Sequence, residues 1–380
     1  MKRSTDRILT THAGRLLASN SMGQMVGGGA QRSREELIPQ IKSAMREVVD
    51  KQVQAGIDVI SDGEVGKIGG ITYFGPRMSG IERKKPEGEP SMMSQRTNER
   101  IEFAEFYETM GTFRNMAPER LCATGPLEFV GQADVRSDTE LFKEALQGLK
   151  TEEQFMCALA PGWIEHGLWN EYYKSDEEFL FGIADAMHDE YKAIVDSGFI
   201  LQLDDPGLPD TYDMIVPAPS IEDYRKFAEI RVEAQNHALR GIPQDRVRYH
   251  ICWGSWHGPH THDLPLKHVV DLMLKINAQA YSVEAANPRH EHEWKVWRDV
   301  KLPEGKILIP GVVSHASNVV EHPELVADRI VQYAELVGKE NVIAGTDCGM
   351  GGRVHMQIGW AKLKALSEGA ELASKQLWGR

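Results

Sequence analysis

The chain has 380 residues, and its 43 lysines and arginines against 56 aspartates and glutamates give a formal net charge of −13. A protein this acidic repels nucleic-acid phosphates and anionic lipid surfaces, so neither is expected as a partner. No apolar stretch approaches the ~20 residues that cross a bilayer, and residues 1–7 lack the apolar centre of a secretory signal, which favours the cytoplasm. Four cysteines in so long a chain are better explained as core residues or ligands than as a disulfide framework.

Helical periodicity and short β-rich runs alternate from about residue 35 onward, which is typical of βα units. The first helix carries apolar residues at three-to-four spacing from Leu37 to Val53, and Gly56 ends it. Later helices are predicted to begin at Ser175, Ser220 and Pro323, with Glu178 completing a capping box with Ser175.

The same pattern predicts strands at residues 8–12, 57–62, 121–130, 154–160, 199–204, 247–252, 280–285, 306–313 and 342–347. A closed parallel sheet with outer helices has eight strands, so we predict a single (β/α)8 TIM barrel domain over residues 1–380, with 121–130 as an extra strand. An open doubly wound sheet is the alternative. Residues 76–118 break the pattern and are compatible either with an insertion over one face of the barrel or with a disordered surface excursion.

Four side chains at predicted strand ends carry metal-ligand chemistry. His250 and Cys252 are two residues apart and therefore point to the same side of a strand, while Glu284 and Cys348 lie near the ends of later strands. Because the carboxyl ends of barrel strands meet at one mouth, these side chains are expected to converge. One nitrogen, two sulfurs and one oxygen form a set that suits zinc and not magnesium or calcium. The sequence thus predicts a Zn²⁺ site made of His250, Cys252, Glu284 and Cys348, although a His-x-Cys pair alone also occurs in ordinary cores.

This ligand set favours sulfur chemistry over the activation of water. Two thiolates, a carboxylate and a neutral imidazole leave a zinc complex with one formal negative charge, which makes it a weak Lewis acid. A substrate thiol can replace the carboxylate and lose its proton while staying nucleophilic. We therefore expect alkyl transfer to a small thiol. A metal-free decarboxylase on the same barrel and a non-catalytic scaffold with structural zinc are the competing interpretations.

The runs 250–260, 310–315 and 346–349 resemble the cobalamin-independent methionine synthase superfamily, in particular its single-barrel branch and the epoxyalkane:coenzyme M transferases. The resemblance covers most of the chain and implies a UROD/MetE-like barrel with the same four zinc ligands. The main reaction that the resemblance implies is the attack of a zinc-bound thiolate, from coenzyme M or a similar thiol, on an epoxide. The alternative reaction is methyl transfer to homocysteine or another thiol from a folate-like or other methyl donor.

Four further positions follow from this resemblance. Glu64 and Asp204 match carboxylates that hold the amino group of homocysteine, unless they merely orient loops, and His315 matches a general acid. The chain departs from the His-x-Gly-Ser pattern of the family at residues 12–15, where Arg15 would meet an anionic substrate tail or form an ordinary salt bridge. The identity of the thiol and of the donor stays open at this point, as does the formation of a homo-oligomer.

Overall fold

The computed structural model describes residues 1–18, 33–87, 97–110 and 119–379. Its strands are β1 (Leu9–Thr10), β2 (Val59–Ser61), β3 (Met78–Lys84), β4 (Arg120–Phe129), β5 (Glu153–Leu159), β6 (Leu168–Asn170), β7 (Ile200–Asp204), β8 (Val247–His250), β9 (Ala280–Glu284), β10 (Ile307–Val313) and β11 (Ile343–Thr346). Eight of them form one parallel sheet in the order β1-β11-β10-β9-β8-β7-β5-β2. The N–H of Asp58 donates to the carbonyl of Thr10 (3.2 Å), which links the two ends of this sheet into a nearly closed barrel.

The predicted barrel class is confirmed, and its eight strands coincide with eight of the predicted runs. The ninth run, 121–130, corresponds to β4 and belongs to a second sheet in the order β3-β4-β6. In this second sheet β3 pairs antiparallel with β4, and β6 pairs parallel with it. The extra strand therefore lies outside the barrel.

The helices are α1 (Arg34–Gln54), α2 (Asn98–Glu102), α3 (Ala104–Met110), α4 (Gln132–Ala145), α5 (Pro161–Gly167), α6 (Asp176–Asp196), α7 (Gly207–Met214), α8 (Ile221–Ala238), α9 (Val270–Met273), α10 (Pro323–Val337) and α11 (Met356–Trp378). Ser175 caps α6 by accepting from the N–H of Glu178 (3.1 Å). The carboxylate of Glu178 reaches one residue further back and accepts from the N–H of Lys174, so only half of the predicted capping box forms.

No helix within the described ranges is long and apolar enough to span a membrane.

The segment 76–118 contributes β3, α2 and α3 to the structure, while residues 88–96 and 111–118 lie outside the described part of the chain. Helix α2 is held against α7, because the N–H of Glu99 donates to the carboxylate of Asp213 (2.9 Å). The indole N–H of Trp256 donates to the hydroxyl of Tyr107 in α3 (3.0 Å). These contacts place α2 and α3 beside the loop that follows β8. The assignment of the whole chain to one domain with an insertion at about 76–118 stays a prediction.

Candidate metal centre

Three of the four predicted ligands lie together where β8 and β11 end. The ligand atoms of His250, Cys252 and Cys348 all lie within 4.8 Å of one another, and the two Sγ atoms are 3.7 Å apart. His250 is the last residue of β8, Cys252 lies two residues beyond it, and Cys348 lies two residues beyond β11. The barrel therefore joins two distant parts of the chain at this point.

The chemistry of this group fits a zinc ion. Two thiolates bonded to one tetrahedral zinc at about 2.3 Å lie about 3.8 Å apart, close to the observed separation of the sulfurs. Nδ1 of His250 pairs with the hydroxyl of Ser282 (3.0 Å), and its buried Nε2 has no hydrogen-bond partner among the described residues. A hydrogen bond to one ring nitrogen that leaves the other nitrogen free for the ion is the usual arrangement of a metal-binding histidine.

The two cysteines have opposite pKa shifts. The hydrogen bond between the two sulfurs holds the pKa of Cys348 well below its usual value, and His250 reinforces this effect. The same bond, followed by burial, raises the pKa of Cys252 well above its usual value. Burial lowers the pKa of His250, but the sulfur of Cys348 outweighs burial and the net shift is upward. One thiolate is thus already favoured before any ion binds.

Glu284, the fourth predicted ligand, lies outside this group of three. It is 1% exposed and shares a neighbouring buried cluster with His315 and Asp347. Its Oε1 accepts from the N–H of Trp253 (3.0 Å), and its Oε2 accepts from the side-chain amide of Asn287 (2.6 Å). Burial and the charge of Asp347 raise the pKa of Glu284 well above its usual value. The structure therefore brings three predicted ligands together and holds the fourth beside them.

His315 lies in that neighbouring cluster and is 2% exposed. Its Nδ1 has no hydrogen-bond partner in the described part of the chain. Burial lowers the pKa of His315 to about 4, although the nearby sulfur of Cys348 opposes this shift. The imidazole is consequently neutral at pH 7, and it becomes a proton donor only after it has gained a proton.

A cavity of about 420 Å³ extends from the three candidate ligands to Glu64 and Asp204. The carboxylates of these two residues and Sγ of Cys157 lie within 4.8 Å of one another. Burial and the charge of Glu64 raise the pKa of Asp204 to about 6. Glu64 has a positive φ of 56°, a backbone conformation that residues other than glycine rarely adopt. Such residues cluster at functional sites. Two acidic side chains thus face the cavity beside the sulfurs.

Arg15 also lines this cavity, close to the acidic pair. The chain bends at Gly14, whose φ is 62°, and a Cβ at that position would lie 3.3 Å from Oε1 of Glu64. Glycine therefore lets the backbone before Arg15 pass against Glu64. Nε of Arg15 is buried and has no hydrogen-bond partner within the residues that the structure describes. Positive and negative side chains accordingly face one cavity.

Sequence reasoning missed four charged residues of the cavity wall, of which Lys67 and Asp210 are buried. Nζ of Lys67 donates to the carbonyl of Cys157 and lies 4.5 Å from the centroid of the Tyr73 ring. Asp210 is 2% exposed, and neither of its oxygens has a hydrogen-bond partner in the described ranges. Burial raises the pKa of Asp210 well above its usual value. Both residues follow strand ends closely, Lys67 after β2 and Asp210 after β7, and this position is the signal that could have identified them.

A buried row of alternating charges supports the loop that carries Cys252. Asp263 pairs with Nδ1 of His260 (3.0 Å) and with Nε2 of His290 (2.8 Å), and Nδ1 of His290 pairs with Glu293 (2.9 Å). Burial lowers the pKa of both histidines, but the carboxylates outweigh it and raise each to about 9. The ring of His290 also stacks on Trp253, with centroids 3.8 Å apart. Two imidazolium ions and two carboxylates therefore form one buried row, and its His290 ring holds Trp253, the residue that follows Cys252.

Proteins named methionine synthase match nearly the whole chain in sequence. A methionine synthase from Thermococcus kodakarensis is 24% identical over 352 residues, which cover 90% of this chain and 86% of the relative. A methionine synthase from Saccharolobus solfataricus is 25% identical over 348 residues, which cover 91% of this chain and 88% of the relative. No family model matches the chain.

Solved structures show the same fold. A B12-independent methionine synthase from Shewanella in complex with selenomethionine superposes with a TM-score of 0.73 at 22% identity, over 98% of this chain and 100% of that one. A putative vitamin-B12-independent methionine synthase from Listeria monocytogenes gives a TM-score of 0.66 at 17% identity, with 98% and 100% coverage. These matches support the likeness to methionine synthases and give no support to the narrower likeness to epoxyalkane:coenzyme M transferases.

Proposed function

We propose that the protein is a zinc-dependent transferase that methylates the thiol of homocysteine. The observation that carries this proposal is one cavity in which His250, Cys252 and Cys348 lie next to the acidic pair of Glu64 and Asp204. The relatives named methionine synthase support this proposal, because methionine is homocysteine with a methyl group on its sulfur. They favour methyl transfer over epoxide opening, which was the first expectation from the sequence.

His250, Cys252 and Cys348 would hold the ion, with Glu284 as the exchangeable fourth ligand. Zinc bound there would lower the pKa of a substrate thiol and keep its sulfur nucleophilic. The hydrogen bond of His250 with Ser282 fixes the orientation of the ring and leaves Nε2 free to bind the ion. The site is therefore largely prearranged.

The charges of the cavity suit the α-amino-acid end of homocysteine. Glu64 and Asp204 would bind its ammonium group, and Arg15 would bind its carboxylate. Coenzyme M carries a sulfonate and no ammonium group, so it would leave these two half-buried carboxylates without a positive partner on the substrate. Leaving such groups unpaired is the strongest form of discrimination that a binding site offers.

We assign the movement of the proton to His315. The thiol loses a proton when it binds, and the nitrogen of an N-methyl donor needs one when its bond to the methyl carbon breaks as the new carbon–sulfur bond forms. His315, neutral at pH 7, would take the first proton and deliver it to the leaving nitrogen, which balances the reaction. The donor itself would be a folate-like or another methyl compound placed along Trp163 and Asp210 in the same cavity.

The proposal is tested with zinc-loaded protein, homocysteine and a panel of N-methyl and S-methyl donors, followed by mass spectrometry of the products. We expect methionine from at least one donor and none from protein stripped of metal. A second arm pairs coenzyme M with small epoxides. Product in that arm alone would contradict methyl transfer to homocysteine.

A further inference from the structure

We propose that Asn287 is a positioning residue that weakens Glu284 as the fourth ligand beside His250, Cys252 and Cys348, so that an incoming thiol displaces this carboxylate readily. This inference rests on the proposed function and adds the residue that controls ligand exchange. Without such a residue, a carboxylate beside a metal ion would compete with every thiol that approaches.

Both oxygens of Glu284 are already engaged in the structure. The N–H of Trp253 donates to Oε1 (3.0 Å), and the side-chain amide of Asn287 donates to Oε2 (2.6 Å). The second bond is short and links a donor to a carboxylate, which is the stronger kind of hydrogen bond. Glu284 has to give up part of this hydrogen bonding before it binds an ion, which weakens it as a ligand.

The orientation of the Asn287 amide is set by its own neighbours. Oδ1 of Asn287 accepts from the N–H of Arg289 (2.7 Å), which requires Nδ2 to face Glu284. The carbonyl of Asn287 accepts from the N–H of His290 (3.0 Å), which closes the turn. Asn287 is 6% exposed, so water competes little for these bonds.

Asp347, which directly follows β11, fixes the same turn. Its Oδ1 accepts from the N–H groups of Ala285 (2.7 Å) and Ala286 (2.9 Å). Because Asp347 directly precedes Cys348, these bonds link the turn after Glu284 to the loop that supplies a sulfur. The bonds involve backbone groups of other residues, so replacing the side chain of Asn287 leaves this link to the cysteine loop in place.

This geometry predicts that removing the Asn287 amide changes metal binding and thiol binding in opposite directions. Without the amide, Glu284 would bind the ion more readily, so the Asn287→Ala variant should keep its metal at least as well as the wild type. The same change should weaken homocysteine binding about tenfold, the lower end of what outer-shell partners of a metal site contribute. A merely structural role for Asn287 would instead weaken the binding of metal and thiol together.

The test is a titration of the cobalt-substituted protein with homocysteine, followed by absorption, with metal retention measured separately against a chelator. We expect a dissociation constant for homocysteine about tenfold higher in Asn287→Ala, with unchanged or slower loss of cobalt. In Asn287→Ala/Glu284→Gln, tight thiol binding should return because the competing carboxylate is gone. The matched control is Asn277→Ala, an exposed asparagine before β9, which should behave as the wild type.

Two outcomes would overturn the role of Asn287: an unchanged dissociation constant for homocysteine in Asn287→Ala, or weaker binding of both cobalt and thiol in that variant. A wild-type cobalt spectrum that does not respond to homocysteine would contradict the proposed function itself. The two failures are therefore distinguishable.

Discussion

The sulfurs of Cys252 and Cys348 lie 3.7 Å apart although 96 residues separate them in the chain. This separation is close to the one that two thiolates take on a single tetrahedral zinc, and neither residue is in a disulfide. The loops after β8 and β11 meet here because both strands end at the same mouth of the barrel. The short distance between these two sulfurs is the structural basis for each prediction about the metal.

Replacing either sulfur should remove the metal. We expect Cys252→Ser and Cys348→Ser each to lower zinc affinity by more than about 100-fold, since even outer-shell partners contribute 10- to 100-fold. Zinc content after dialysis and the rate of methionine formation measure this effect. Cys122→Ala is the control, because Cys122 lies in β4 of the second sheet, and it should retain one zinc. Full zinc content in both serine variants would contradict the assignment.

The acidic pair should recognise the ammonium group of the thiol. Asp204 has a pKa of about 6, so it loses its charge as the pH falls below that value, and KM for homocysteine should rise by up to about tenfold per pH unit there. A thiol without the amino group, such as 4-mercaptobutyrate, should lack this rise. Asp204→Asn should raise KM for homocysteine at pH 7.5 and leave that of 4-mercaptobutyrate nearly unchanged. Equal losses for both thiols would show that the pair serves the fold instead.

Arg15 should recognise the carboxylate of the same substrate. Arg15 lines the cavity, so Arg15→Gln should raise KM for homocysteine about tenfold, as expected for the loss of a charge-assisted hydrogen bond. The matched substrate is 3-aminopropane-1-thiol, which is homocysteine without its carboxylate, and it should be less affected. An unchanged KM for homocysteine would mean that Arg15 is not a contact.

His315 should affect the rate of transfer more than binding. Replacement by glutamine keeps the size and polarity of the side chain but removes the titrating nitrogen, so kcat with an N-methyl donor should fall about 100-fold while KM for homocysteine changes little. Added imidazole should restore part of kcat in His315→Gln if the lost function is proton transfer. A drop in homocysteine affinity without a drop in kcat would instead make His315 a binding residue.

The buried row of His260, Asp263, His290 and Glu293 should make stability depend on alkaline pH. Both histidines have a pKa near 9 in the folded protein against an ordinary value of 6.5, so their contribution is complete below pH 6.5 and is lost as the pH rises through about 9. Asp263→Asn removes the central partner. The difference in Tm between wild type and this variant should therefore be largest near pH 6 and smaller at pH 9.5. Thermal unfolding followed by circular dichroism at both pH values measures it, and a constant difference would contradict the charged state of the histidines.

Much of the barrel was predictable from the sequence, because each strand leaves a local apolar signal. The runs 57–62 and 199–204 have such a signal, and the acidic residues at or just beyond their ends, Asp204 and Glu64, were expected at the mouth for that reason. The four candidate zinc ligands were predicted from their residue types and their positions at strand ends. The place of 121–130 outside the barrel was inferred only by counting nine strands for eight positions.

The state of each side chain could not be predicted, because it depends on packing between distant segments. The two hydrogen bonds that Glu284 accepts come from Trp253 and Asn287, and only the folded loops bring these donors to it. The low pKa of His315 arises from burial, which spacing along the chain does not reveal. Asp210 and Lys67 were missed because a single charged residue after a strand usually faces solvent.

The metal centre can be tested by X-ray absorption at the zinc edge, measured on the zinc-loaded protein with and without homocysteine. We expect two sulfur neighbours at about 2.3 Å in the free protein and three with homocysteine bound, as the thiol takes the fourth place beside His250. An unchanged sulfur count at saturating homocysteine, or a zinc environment without sulfur, would contradict this expectation.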